Sequence, residues 1–95
     1  MKGGHFVYML MNAARTIYTG YATDVARRLA QHNGEKPGGA KFTRGRGPWH
    51  VVHTEELPSK SAAQKREAAL KRDRKFKATL KSAAKPAHPP RRAMR

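Results

Sequence analysis

The stretch IYTGYATDVARRLAQHN, residues 17–33, decides the fold because a strand pattern gives way to a helix pattern within it. Aromatic and β-branched side chains favour a strand over TIYTG, residues 16–20. Thr23 is a good helix N-cap, Asp24 places a negative charge in the first turn, and Asn33 followed by glycine supplies a stop. We therefore predict a strand followed directly by a helix of about ten residues.

A second strand pattern precedes this stretch. The run FVYMLM, residues 6–11, is joined to the strand at 16–20 by the four residues NAAR, a connection length that suits a β-hairpin. Side chains alternate between the two faces of a strand, so Tyr8 in the first strand and Tyr18 in the second can lie on one face of the sheet. The sequence leaves the pairing register open.

A glycine-rich loop and a third strand follow the first helix. Residues 34–48 hold five glycines and two prolines and predict a loop. The pattern WHVVHTEEL predicts a strand over residues 49–57. The expected architecture is a small α+β fold of order ββα, loop, βα(α), in which helices flank a three-stranded mixed or antiparallel sheet.

The C-terminal third is predicted to be helical and then basic. Ser61 and Gln64 form a capping box that opens a helix over residues 61–81, either as one long helix or as two helices broken near Asp73. Residues 82–95 carry three prolines and no acidic residue, so they cannot supply a core. We predict one domain over residues 1–81 and a basic, proline-rich, disordered tail over 82–95.

Composition narrows the function classes. The chain has 21 Lys and Arg against 6 Asp and Glu, a formal net charge of +15 on 95 residues, and no cysteine. Disulfides and thiolate metal sites are excluded, a reducing cytoplasm is permitted, and no apolar segment reaches the roughly 18 to 20 residues that cross a bilayer. The charge predicts a polyanionic partner, with nucleic acid favoured over a membrane surface because no long basic amphipathic helix is present.

The first helix carries candidate site residues. Asp24, Arg28 and His32 are spaced four apart and share one helix face, whereas Arg27 points elsewhere. A solvated face with an Asp24–Arg28 ion pair would explain this pattern. The alternative is a phosphate-binding cleft, because Gly20 permits close approach at the strand end and arginine donates two parallel hydrogen bonds to phosphate oxygens.

Glu67 is the second candidate. It falls on the otherwise apolar stripe of the later helix, between lysines and arginines. One interpretation is a structural ion pair with these neighbours. The other is a magnesium ligand, with waters and substrate phosphate oxygens completing the metal shell.

These elements together resemble the GIY-YIG nuclease domain, in particular its small single-domain bacterial members. The resemblance rests on Val7-Tyr8, Tyr18-Thr19-Gly20, Arg28, His32 and Glu67, taken in order, and covers about residues 6–80. The stretch YTGYATDVARRLAQHN, the loop KFTRGRGPW and the helix SAAQKREAALKR match that subgroup's pattern. The chain departs from the family's first motif, where Phe6 and Val7 replace glycine and isoleucine, and its second motif reads Tyr-Thr-Gly.

The resemblance implies a divalent-metal-dependent DNA endonuclease that hydrolyses phosphodiester bonds, in DNA repair or recombination, with Mg²⁺ or Mn²⁺ and no small-molecule cofactor. It assigns Glu67 to the metal and Arg28 to the developing phosphoryl charge. It assigns Tyr8 as the base toward water, alone or helped by Tyr18 or His32. Because tyrosine has a reference pKa near 10, this role requires nearby positive charge to lower the pKa. A favourable contact with the helix dipole would also explain His32.

The resemblance and the charge also imply a DNA-binding surface, with RNA as a further possibility, in a cytoplasmic or nucleoid-associated protein. The predicted nucleic-acid-binding residues are Gly20, Arg27, Lys41, Arg44, Arg46, Lys71 and Arg72. Trp49 is expected in the core more often than stacked on an unpaired base. The histidines other than His32 show no metal-site spacing and are interpreted as structural or surface residues.

Two other classes fit the same charge. A catalytically silent DNA- or RNA-binding module would need the same phosphate contacts, and a basic accessory protein of ribosomes or nucleoids would explain the tail. Retention of Tyr8, Tyr18, Arg28 and Glu67 favours the enzyme.

Overall fold

Six secondary-structure elements follow the predicted order. The computed structural model describes residues 4–83. The elements are β1 (His5–Met11), β2 (Ile17–Ala22), α1 (Val25–His32), β3 (His50–Leu57), α2 (Lys60–Arg72) and α3 (Arg74–Ala83). The predicted α+β class is confirmed, with two helices after the third strand.

The three strands form one antiparallel sheet in the order β2-β1-β3. The central strand is the most apolar one, and every residue from Val7 to Met11 is buried. Tyr8 pairs with Gly20, and Leu10 pairs with Tyr18. Directly paired residues lie on the same face, so the two tyrosines share a face as predicted.

Each face of the sheet has its own hydrophobic core. Val7 and Met9 pack with Ala63 and Leu70 of α2, joined by side chains of α3. On the opposite face Tyr8 and Leu10 pack with Trp49 and the apolar side of α1. The sheet therefore lies between α1 on one side and α2 with α3 on the other.

Both predicted helix starts were wrong by a short distance. β2 continues to Ala22, so the chain leaves the sheet later than expected, and Asp24 rather than Thr23 caps α1 by accepting a 3.0 Å hydrogen bond from the Arg27 amide. α2 starts at Lys60, because Ser59 rather than Ser61 is its N-cap, and the Ser59 hydroxyl accepts from the Ala62 amide. The Ser61–Gln64 capping box is therefore not formed.

The break near Asp73 is confirmed. Asp73 is the C-cap of α2, where its amide donates to the Leu70 carbonyl. Its carboxylate accepts a 2.9 Å hydrogen bond from the Phe76 amide in the first turn of α3. One residue thus ends one helix and starts the next.

The domain boundary stays a prediction. α3 includes Ser82 and Ala83, so it extends two residues into the predicted tail, and residues 84–95 lie outside the described residues. Among the helices of residues 4–83, none has the length and apolar character needed to cross a membrane.

Candidate active site

Three predicted site residues meet at one end of α1. Tyr8 lies on β1, Tyr18 on β2, and His32 is the last residue of α1. The His32 ring centroid lies 4.8 Å from that of Tyr18 and 5.9 Å from that of Tyr8. The antiparallel pairing of β1 and β2 brings the tyrosines together, and α1 packs over them from the same side.

Gly20 leaves room for the Tyr8 ring, a role that the sequence did not predict. A Cβ added to Gly20 would lie 2.6 Å from the Tyr8 hydroxyl oxygen and 2.7 Å from the ring carbon that carries it. The space that was assigned to an approaching phosphate is therefore filled by the Tyr8 phenol. Any side chain at position 20 would displace Tyr8.

A chain of hydrogen bonds runs through His32. The Tyr8 hydroxyl lies 2.8 Å from His32 Nε2, and His32 Nδ1 lies 2.8 Å from the Thr43 hydroxyl, which donates to the Ala40 carbonyl at 2.9 Å. The Thr43 hydroxyl donates its one proton to the Ala40 carbonyl, so its oxygen accepts from the Nδ1–H of His32. In the neutral imidazole Nε2 is then the acceptor, and Tyr8 donates its O–H to it.

Burial keeps both ends of this pair neutral near pH 7. Burial raises the pKa of Tyr8 to about 12, and the opposing charge of Arg28 only partly offsets this, while the Tyr18 and Glu67 charges raise it further. Burial, and then the Arg28 charge, lowers the pKa of His32. Arg28 lowers the pKa of Tyr8, which is the direction that a role as base requires, but desolvation of the phenolate outweighs this effect.

Arg28 is half-buried and is held away from Asp24. Its guanidinium donates to Gln31 Oε1 at 2.6 Å and to the Gly38 carbonyl at 3.0 Å, so the considered Asp24–Arg28 pair is not formed. These contacts orient it between α1 and the following loop. Arg27 is exposed and lines the same surface depression as Arg28, although the helix spacing predicted that it points elsewhere.

Glu67 stands on α2, where 21% of its side chain is exposed, and its carboxylate lies 3.1 Å from Lys71 Nζ. This contact matches the structural alternative and engages Lys71, one of the predicted phosphate ligands. Among residues 4–83 no three His, Cys, Asp or Glu side chains cluster as a metal site. A single half-buried carboxylate still fits Mg²⁺, which is commonly held by one or two carboxylates plus waters and substrate phosphates.

The loop between α1 and β3 is held in place by Asn33, Trp49 and Thr43. The Asn33 amide donates to the Trp49 carbonyl at 3.0 Å and accepts from the Trp49 amide at 2.6 Å. The Trp49 indole N–H donates to the Thr43 carbonyl at 3.0 Å. Trp49 is buried, as the core interpretation predicted. Thr43 lies in an irregular basic loop without a periodic pattern, so the sequence did not identify it as a site residue.

The basic residues predicted to bind phosphates remain at the surface. Lys41, Arg44 and Arg46 are exposed on the loop, and Arg72 is exposed at the end of α2. The structure therefore leaves these four cations accessible, and their contact with nucleic acid stays a prediction.

A second cluster of titratable groups lies on the opposite face of the sheet. The Glu55 carboxylate accepts from Arg66 Nε at 2.7 Å and Nη2 at 3.0 Å, and lies 2.7 Å from His53 Nε2. The Arg66 hydrogen bond, followed by that of His53, lowers the pKa of Glu55 to about 2 against a smaller desolvation effect. This cluster joins β3 to α2, which agrees with a structural role for His53.

Comparison with known proteins supports the resemblance. Residues 4–81 match the GIY-YIG catalytic domain. A UPF0213 protein of Natronomonas pharaonis is 52% identical over 71 residues, which cover 75% of this chain and 81% of the relative. A UPF0213 protein of Halalkalibacterium halodurans is 48% identical over 67 residues, which cover 70% of this chain and 69% of the relative.

A solved structure agrees with these sequence matches. The solution NMR structure of a protein from E. faecalis has a TM-score of 0.54 and 35% identity, covering 86% of this chain and 90% of that chain. The predicted family resemblance and α+β fold are confirmed.

Proposed function

Because the chain belongs to the GIY-YIG catalytic domain family, we propose that it is an endonuclease that hydrolyses phosphodiester bonds in DNA with a bound divalent cation, Mg²⁺ or Mn²⁺. The observation that carries the proposal is the hydrogen-bond chain Tyr8–His32–Thr43, in which His32 holds an acceptor nitrogen against a tyrosine hydroxyl. The net charge of +15 supports a nucleic acid substrate.

The proposed base is the Tyr8–His32 pair rather than Tyr8 alone. A phenolate with a pKa of about 12 is scarce at neutral pH. As Tyr8 takes a proton from the attacking water, its own proton moves to His32 Nε2, so no free phenolate forms. The resulting hydroxide attacks phosphorus, and the leaving 3′ oxygen takes up a proton from water.

Arg28 and Glu67 complete the proposed site. Arg28 stabilises the negative charge that develops on the phosphoryl oxygens, and the incoming phosphate offsets the repulsion between Arg28 and a protonated His32. Glu67 is the residue that would hold the cation, which when bound supplies Lewis-acid polarisation of the phosphate. Binding of the cation competes with the Lys71 ammonium, so Lys71 must release the carboxylate.

The test is magnesium-dependent cleavage of plasmid, single-stranded and branched DNA by the purified chain, compared with an Arg28→Ala variant. We expect cleavage that needs the metal and is lost in the variant, while DNA binding persists. Binding without cleavage of any substrate would instead support the silent nucleic-acid-binding module, for which the Glu67–Lys71 pair is the favouring observation. A role in DNA repair or recombination in the cytoplasm is proposed by association with the superfamily.

A further inference from the structure

Phe42 is an exposed aromatic side chain in the most basic loop of the described chain. The residue is 45% exposed, although phenylalanine is usually buried. Between residues 4 and 83 the only other large hydrophobic residue so exposed is Val51, at 36%. Phe42 follows Lys41 and lies near Arg44 and Arg46, so an apolar ring is displayed among three cations.

Phe42 forms part of a stacked group. Its ring lies 6.0 Å from the Tyr18 ring, with an angle of 25° between the planes. The Arg46 guanidinium carbon lies 4.9 Å from the Phe42 ring centroid. Within residues 4–83 the Arg46 guanidinium has no hydrogen-bond or ion-pair partner, so it can leave the ring at little cost.

The group is held rigidly beside the candidate active site. Thr43, the next residue after Phe42, is 1% exposed and is fixed by His32, Ala40 and Trp49. Tyr18 contacts Phe42 on one side and the His32 ring on the other, at 4.8 Å. A planar group that replaces Arg46 on Phe42 would therefore be separated from the proposed proton acceptor by two aromatic rings, Phe42 and Tyr18.

We propose that Phe42, Tyr18 and Arg46 form a stacking site for an unpaired nucleobase next to the phosphate to be cleaved. Bases inside a duplex have both faces covered by their neighbours, so away from duplex ends an unpaired base is needed to offer a face to Phe42. Stacking on an aromatic ring is largely independent of base identity. Arg46, displaced from the ring, covers the base or contacts its phosphate.

The inference rests on the proposed function and adds a substrate class to it. Single strands, gaps and flaps are preferred to intact duplex, because they supply an unpaired base together with the phosphate backbone. The buried Trp49 cannot take this role, since its indole is in the core and its N–H is bound to Thr43.

The experiment measures binding of full-length protein to oligothymidine and to a blunt duplex with the same number of phosphates, in EDTA at one salt concentration. Phe42→Ala should weaken single-strand binding about 5- to 100-fold and change duplex binding less than about twofold. Phe42→Trp should restore single-strand binding, whereas Phe42→Leu should not, because leucine keeps apolar volume without a flat ring. Val51→Ala is the matched control and should leave both affinities unchanged.

A second measurement does not depend on a variant folding. Photocrosslinking of the wild-type chain to oligothymidine that contains iododeoxyuridine should attach the base to Phe42 or Tyr18, as mapped by mass spectrometry. Crosslinks confined to other residues, equal weakening of both DNA forms by Phe42→Ala, or full rescue by Phe42→Leu would each overturn the stacking site. Because binding is measured without metal, a chain that stacks single strands yet cleaves nothing would refute the nuclease and leave this inference standing.

Discussion

His32, at the end of α1, and His53, on β3, lie on opposite sides of one sheet, and their surroundings differ. His32 is 3% exposed and lies between two neutral hydroxyls, those of Tyr8 and Thr43. The His53 side chain is 25% exposed and contacts the carboxylate of Glu55, which a bidentate Arg66 also holds.

This difference agrees with the proposed role of His32 as a proton acceptor and with a structural role for the His53 cluster. Around His32 burial disfavours charge, so a proton moves through the hydrogen bond only when a reaction supplies it. Around Glu55 opposite charges compensate one another, so protonation would break the link between β3 and α2. In the proposed function, His32 takes part in the chemistry, whereas His53 belongs to a cluster that joins β3 to α2.

The largest effect on cleavage is expected for Glu67, and Glu55 is the carboxylate to compare with it. Glu67→Gln removes a charged oxygen ligand from a hard cation and should abolish metal-dependent cleavage. Its melting temperature should change little, because a partly exposed i,i+4 pair with Lys71 contributes only a few tenths of a kcal/mol. Both properties should be measured on one preparation. A destabilised but active Glu67→Gln variant would refute the metal-ligand assignment.

Glu55→Gln should show the reverse behaviour. Loss of the ion pair with Arg66 should cost about 1 kcal/mol in the free energy of unfolding, since the pair is bidentate but partly exposed. Cleavage by the folded protein should remain within about twofold of wild type. Denaturant unfolding and cleavage rates check this, and strong loss of activity would show that the link between Glu55 and Arg66 is needed for the site.

The next largest effect is the difference in cleavage rate between variants of the two histidines. His32→Gln should lower the cleavage rate by about 100- to 10,000-fold, the range for removing a positioned proton acceptor. His53→Gln should leave the rate within about twofold. DNA affinity of both variants, measured without metal, should stay near wild type. Equal rate losses at the two positions would contradict the assignment of the proton acceptor to His32.

Thr43→Val tests the positioning of His32 with a smaller effect. Valine keeps the shape but removes the acceptor of Nδ1–H, so the tautomer is no longer held, and we expect about a tenfold lower rate. The acidic limb of the pH–rate profile should move to lower pH, because the lost hydrogen bond had favoured protonated His32. Thr43→Ser should recover both properties. A purely structural role would lower stability without moving the pH profile.

The free energy of unfolding should fall in two steps as the pH is lowered, one due to His32 and one due to Glu55. The pKa of His32 is lowered in the folded protein, so its contribution is present above about pH 6.5, the unfolded value, and is lost below it. The pKa of Glu55 is lowered from 4.5 to about 2, so its contribution is lost as the pH falls through that window. His32→Gln should remove the upper step and Glu55→Gln the lower one in thermal unfolding curves. A single step that neither variant alters would contradict this division.

Local signals in the sequence were sufficient for the order of elements and for part of the site. Strand alternation allowed Tyr8 and Tyr18 to share a face, which the observed register then fixed, and the helix spacing placed Arg28 and His32 together. The same kind of signal indicated the break at Asp73. The strand alternation, the helix spacing and the helix break each depend on residues only a few positions apart, so neighbouring sequence determines them.

Tertiary structure decided the features that join distant parts of the chain. Thr43 reaches His32 eleven residues away, Asn33 pairs with Trp49 sixteen residues away, and Gly20 is required because Tyr8 passes across it. Loop residues follow no period, so their partners depend on how the sheet and α1 assemble. The desolvation that raises the pKa of Tyr8 likewise arises only when α1 covers that face, since burial, unlike charge, cannot be read from composition.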